Sequence, residues 1–193
     1  MKLVIRPMGL DDVSQVHEID ILSISLPWPE RSFRYELLEN SSSRLWVVEG
    51  EDEAGKRILA FIVLWLIIDE AHIGTIAVHP DFRRLGLGQM LLAHALLRAA
   101  SEGVTRVFLE VRRGNISAQM MYQKFGFILD GVRPRYYQDT GEDAFLLSLS
   151  GLQEANIKAY LRKLLVPPSG EQASIGGLGN GQVSSFGRFI QTD

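Results

Sequence analysis

The run TIAVHPDFRRLGLGQMLLAHALL, from Thr75 to Leu97, joins a β-rich apolar segment to the most strongly helical stretch of the chain through a loop bearing two arginines and a Gly-x-Gly. A strand that turns over glycine into a long helix constrains the fold to an α/β arrangement with the helix start at a strand end. Helix starts carry unpaired amides and the positive end of the dipole, and glycine lets an anion approach the backbone closely. Pyrophosphate is the natural guest. The same turn also serves as a plain strand-to-helix link that needs small residues, so the motif alone leaves both readings open. A dinucleotide-binding βαβ unit is a third alternative, because Glu110 falls about twenty residues beyond Gly88, where a ribose-binding acid would sit. Against it, Leu91 stands at the third glycine position, the loop carries Arg83 and Arg84, and several strands precede the motif.

Periodicity supplies the surrounding elements. Lys2 to Arg6 reads as a strand, and Asp11 to Ser23 as a helix with Val13, Val16, Ile19 and Leu22 on one face. Pro27 and Pro29 stiffen a loop around Trp28, a lid or core plug, before a second helix from Glu30 to Leu38. Arg44 to Glu49, Ile58 to Ile68 and Ala71 to Val78 form a predicted strand meander. Gly88 to Ser101 is helical, with His94, Arg98 and Ser101 as its solvent stripe, and Gly103 ends it. A strand over Val104 to Val111, a helix over Asn115 to Phe125 stopped by Gly126, and strands over Phe127 to Arg133 and Ala144 to Leu149 complete a mixed sheet.

The chain has 193 residues, enough for one domain with a sizeable core, here placed at residues 1–150. A helix is expected within 151–166, and 167–193 reads as a flexible Gly/Ser/Pro-rich tail. Its GGLGNG has neither a strand before it nor an amphipathic helix after it, so a phosphate loop is not expected there. Twenty basic residues against 23 acidic give a net charge of -3, which offers no general attraction to nucleic acid or an anionic membrane. With no cysteine, thiolate metal sites and a cysteine nucleophile are excluded, and the histidines at 17, 72, 79 and 94 lack metal-ligand spacing. No metal is expected. No apolar run suits a signal peptide or a membrane span, which makes the cytoplasm the expected location.

Three blocks in order carry a resemblance. Arg83 to Gly88 is similar to the Q/R-x-x-G-x-G/A loop of the GNAT superfamily of N-acetyltransferases; LEVRRGNISAQMMYQKFGF resembles that superfamily's later strand-Asn-helix-Tyr-Gly-Phe block; RYYQDTGEDAFLL resembles the closing hairpin of protein N-terminal acetyltransferases. LPWPERSF near the start looks like the RimI-type branch, and the resemblance spans Met1 to Leu149. It implies an α/β (α+β) GNAT fold, a mixed central sheet of about seven strands flanked by about four helices and splayed between the fourth and fifth strands. It also implies acetyl-CoA as co-substrate, and as acceptor a protein or peptide N-terminal α-amine such as that of a ribosomal protein. Lysine or small-amine acetylation is the alternative. A non-catalytic acyl-CoA-binding module is less expected, because Glu110 and Tyr122 are both present.

On that resemblance Ile76, Ala77 and Val78 line the pantetheine arm, although by pattern alone they are strand core. Arg84, Leu85, Gly86, Leu87, Gly88 and Gln89 hold the pyrophosphate, and Asn115, by itself a good helix N-cap, also meets the cofactor. Glu110 matches the general base, with pairing to Arg112 or Arg106 as its purely structural alternative. An α-amine of pKa about 8 needs such a base near neutrality. Tyr122, at core-facing helical spacing, matches the general acid that protonates the departing thiolate. Trp28, Tyr136 and Tyr137 are the substrate-binding candidates, and the implied reaction is direct attack of the amine on acetyl-CoA in a ternary complex.

Overall fold

The computed structural model describes residues 1–165 and the backbone of residues 173–175. Strand β1 (Lys2–Pro7) leads through helices α1 (Val13–Ser23) and α2 (Glu30–Leu38) to the meander β2 (Ser43–Asp52), β3 (Gly55–Ile67) and β4 (Glu70–Val78). Helix α3 (Leu87–Ser101), β5 (Arg106–Arg112), α4 (Ile116–Lys124), β6 (Ile128–Tyr137), β7 (Glu142–Ser150), α5 (Ala155–Lys163) and β8 (Ala173–Ile175) follow. The sheet order is β6-β7-β5-β4-β3-β2-β1-β8, antiparallel except for the β4–β5 and β1–β8 pairs.

The long apolar runs of the meander have a direct cause. Leu45 to Gly50 and Ile58 to Leu64 are buried residue after residue, because both faces of β2 and β3 are covered. On one face α1 and α2 bring Val16, Ile19 and Phe33 against Val47, Phe61 and Val63. On the other, α3, α4 and α5 bring Leu91, Leu96, Phe125 and Leu161 against Ile62, Leu64 and Leu109.

The seven strands of the domain fall where the pattern predicts, and α2 has the predicted bounds. Helix α1 begins later than expected, at Val13, because Leu10–Asp12 forms a 3-10 turn. The Asp12 carboxylate is engaged there by the Gly9 amide at 2.8 Å and by Arg6 at 2.6 Å. Helix α5 lies within the 151–166 stretch where a helix is expected, whereas β8 is an additional strand and arises within the segment read as a tail, pairing Leu3 to Ile5 with Ala173 to Ile175. The rest of 167–193, GGLGNG included, lies outside the described residues.

His94 corrects the sequence reading. It is 1% exposed and packs edge-on against Trp46 with ring centroids 5.6 Å apart. Helix α3 is embedded between sheet and α5 around most of its circumference, so a residue opposite its main apolar face still meets core. Burial, with the neighbouring positive charge of Arg98, pulls the imidazole down to about 4. The unfolded chain takes up this proton near pH 6.5, so His94 contributes fully to stability above that pH and progressively less as pH falls toward 4. Urea unfolding should show wild type losing roughly 3 kcal/mol more between pH 7.5 and 4 than His94→Leu. Parallel losses would mean that the imidazole is not held neutral in the core.

Candidate active site

The parallel ladder between β4 and β5 runs only from Glu70↔Arg106 to Ile73↔Leu109. Beyond it β4 continues to Val78 against β3, and Glu110 to Arg112 pair only with β7. The divergence begins at a bulge, where Val63 faces Thr75 and Leu64 faces Ile73, leaving Gly74 as the extra residue. A Cβ on Gly74 would stand 2.9 Å from the Trp65 ring, so only glycine fits without displacing it. Trp65 is fixed in turn by stacking on Trp28 at 5.9 Å and by donating its indole N–H to Glu36 at 2.9 Å.

The bulge opens a slot with backbone on its wall. His79 donates its amide to Leu59 on β3, so strand alternation turns the backbone N–H groups of Ile76 and Val78 toward the slot. The Val78 carbonyl is taken by Arg83 Nε at 3.2 Å and Ser23 Oγ at 3.3 Å. Arg83 also donates to Ser23 Oγ at 3.0 Å, which makes it a tie between α1 and the loop, whereas Arg84 is exposed.

At the mouth of the slot, Arg84 and Gly86 adopt left-handed backbone, with φ of 67° and 77°. Met90 is the first intrahelical donor of α3, bonding the Gly86 carbonyl at 3.0 Å. The amides of Leu87, Gly88 and Gln89 therefore have no acceptor within the helix. Gly88 faces the strand, where a Cβ would make ordinary contacts at 3.4 Å from Val78 Cγ2 and 3.7 Å from Met121 Sδ. This is a cradle for an anionic, extended guest.

The two candidate acid–base side chains stand on opposite faces of the sheet. Tyr122 rises from the α3 side, buried and T-stacked on Phe127 at 5.5 Å. Burial, reinforced by the nearby Tyr137, raises its phenol well above the ordinary value, so it is a protonated donor at neutral pH. Glu110 projects from the opposite face of β5, exposed and paired with Arg133 Nη1 at 3.0 Å, not with Arg106 or Arg112. Tyr137 lies within electrostatic reach of both, and burial pushes its phenol up to about 12, Arg112 opposing and Tyr136, Glu110 and Glu142 adding to the rise. The Tyr136 and Tyr137 rings meet edge to face at 5.1 Å.

Asn115 caps α4, accepting the Ala118 amide at 3.2 Å, and Ala77 belongs to the α1–α2 core while Ile76 and Val78 pack toward α3. Trp28 contacts Phe33 and Trp65, so its ring is the core plug of the two alternatives. Three participants escaped the sequence reading: Gly74, whose need appears only with Trp65 in place; Arg133, brought across by bulges in β6; and Arg112 as an organiser of loops. Alternation along β5 was the available signal for Arg112, since it sets that residue on the same face as Glu110.

The model of the Acetyltransferase (GNAT) family matches residues 13–127. The chain belongs to the GNAT acetyltransferase family. A putative [ribosomal protein bS18]-alanine N-acetyltransferase of Bacillus subtilis is 36% identical over 146 residues, 76% of this chain and 94% of that protein. The [ribosomal protein bS18]-alanine N-acetyltransferase of Escherichia coli K12 is 31% identical over 147 residues, 75% of this chain and 95% of that protein. The crystal structure of the ribosomal-protein-S18-alanine N-acetyltransferase from Escherichia coli superposes with a TM-score of 0.70 at 28% identity, covering 77% of this chain and 94% of that one.

GNAT enzymes use acetyl-CoA as co-substrate, and this GNAT protein is an acetyl-CoA-dependent N-acetyltransferase. Among the described residues, no group of three or more His, Asp or Glu could hold a metal ion, and no helix is long and apolar enough to cross a membrane. The left-handed Gly86 and its free neighbouring amides give a test of donor binding. Gly86→Glu should weaken acetyl-CoA binding at least tenfold by calorimetry, whereas Gly86→Asn, which tolerates the same φ, should weaken it far less. Equal, undiminished affinities in folded variants would remove the loop from the donor site.

Proposed function

We propose that this enzyme acetylates the N-terminal α-amine of a protein, specifically an alanine-starting ribosomal protein of the S18 type, in the cytoplasm. The observation that carries the acceptor assignment is the near full-length match to relatives named for alanine N-acetylation of bS18. In this reading Ile76, Ala77 and Val78 line the pantetheine arm, Arg84 to Gln89 hold the pyrophosphate, and Asn115 supports the donor from the start of α4. Tyr136 and Tyr137 hold the acceptor backbone, and Trp28 acts from behind, setting where the α1–α2 loop stands.

The reaction is direct attack. Glu110 takes the ammonium proton, the free amine attacks the thioester carbonyl, and the Val78 N–H donates to the oxygen that becomes negative. The carbon–sulfur bond then breaks, the Tyr122 hydroxyl protonates the departing thiolate, and the second proton that the nitrogen sheds on becoming an amide restores the Tyr122 phenol, leaving one proton on Glu110 for release to solvent. No acyl-enzyme forms. Arg133 must release Glu110 first, which costs little: the pair's side chains are 51% and 35% exposed, and such ion pairs contribute about 0–1 kcal/mol.

Purified enzyme offered acetyl-CoA with α-amine peptides, internal-lysine peptides and polyamines should acetylate peptides beginning with alanine fastest, as read by mass spectrometry. Preference for lysine or polyamine would reverse the acceptor assignment. Glu110→Gln and Tyr122→Phe should each lower turnover by roughly 10²-fold with acetyl-CoA affinity nearly unchanged. The Glu110→Gln defect should shrink at high pH, where the amine is already free, and the Tyr122→Phe defect should not. Near-normal turnover by both would return these residues to structural roles.

A further inference from the structure

Arg112 ends β5 two residues beyond Glu110, and its guanidinium collects partners from separate parts of the chain. One terminal nitrogen donates to Ser25 Oγ in the α1–α2 loop at 2.7 Å and to the Asp139 carboxylate at 2.8 and 2.9 Å. The other donates to Thr140 Oγ1 at 3.0 Å and to Glu142 at 3.3 Å, both in the β6–β7 hairpin. The guanidinium carbon sits 3.8 Å from the centre of the Tyr137 ring. Glu142 reaches on to the Gly114 amide, and the Arg112 carbonyl accepts from the Asn115 amide at 3.0 Å and the Gln119 side chain at 2.9 Å.

The geometry points to Arg112 as a positioning residue for the acceptor: a latch that pins the α1–α2 loop to the β6–β7 hairpin and fixes the Tyr137 ring beside Glu110. This rests on the reading of the site as a peptide N-terminal acetyltransferase. The pairing is largely shielded, with Arg112 and Asp139 side chains 20% and 16% exposed, so water competes less than at the open Glu110–Arg133 pair. A planar, multiply bonded fork also holds direction as well as distance, which a lysine cannot reproduce. Because Ser25 and Asp139 share one nitrogen, the two loops cannot separate while the latch is closed. The latch therefore sets the room left for the acceptor's first side chain. The donor cradle at Val78 and the α3 start lies on β4 and α3, and Asn115 bonds the Arg112 backbone carbonyl, which a side-chain substitution keeps, so donor binding does not depend on the guanidinium.

The test is steady-state kinetics of Arg112→Met, Arg112→Lys and Ser25→Ala with alanine-first and leucine-first peptides, beside calorimetric acetyl-CoA affinity. Arg112→Met should raise the peptide KM about tenfold or more, leave kcat within about threefold and acetyl-CoA affinity unchanged, and narrow the alanine-over-leucine preference. Arg112→Lys should fall between it and wild type. Ser25→Ala, which cuts only the α1–α2 arm, should raise peptide KM about two- to fourfold, and it decides the matter if Arg112→Met does not fold. Unchanged peptide KM and preference in folded variants, or equal losses toward both substrates, overturn the latch while leaving the α-amine reading intact. A wild type that acetylates no peptide α-amine overturns both.

Discussion

The early end of the β4–β5 ladder is the constraint on which the rest of this structure depends. Four residue pairs hold the two strands, and then the Gly74 bulge swings β4 away. The bulge persists because the Trp65 ring covers Gly74 and is itself held by Trp28 and Glu36. A continuous ladder would have satisfied the Ile76 and Val78 backbone groups within the sheet and left nothing for an extended guest to pair with. The functional opening is thus made by withholding hydrogen bonds that a sheet would ordinarily form, while the helices on both faces keep the surrounding core closed.

The opening also decides which side chains can meet. Glu110 and Tyr122 belong to opposite faces of the sheet, one exposed and one buried, and in the proposed mechanism the gap between β4 and β5 is what lets both address one guest. Their environments suit different tasks. Tyr122 is kept neutral by burial, which fits the proposed proton donor, while Glu110 stays solvated and paired with an arginine that is cheap to displace.

Much of this was legible in the chain. The unbroken apolar runs of β2 and β3 and the glycine-opened α3 announce their elements, and the α2 bounds follow from Pro29 and its apolar spacing. The turn into α3 was legible because glycines and a helix start have local causes. What escaped depends on contacts between distant residues. His94 looks polar on a helical projection and is buried because the sheet, with Trp46 against its ring, and α5 enclose α3, and Gly74 gains its meaning from Trp65 on another strand. The partner of Glu110 could not be read off β5, since Arg133 is delivered by register shifts in β6. Helix α1 starts late because Asp12 is drawn to Arg6, a contact no helical period encodes.

Backbone amide exchange with and without acetyl-CoA tests most directly whether the splayed strand and the α3 start form the donor site. The amides of Ile76, Val78 and Leu87 to Gln89, which lack strand or helix acceptors, should exchange quickly in the free enzyme and slow markedly on binding, with β1 and β2 unchanged. The opposite result is equally distinct. Protection appearing instead around the cavity of about 260 Å³ lined by Gln15, Glu18, Arg57, His79 and Phe82, with Val78 and the start of α3 unaffected, would contradict a donor site built on the opening between β4 and β5.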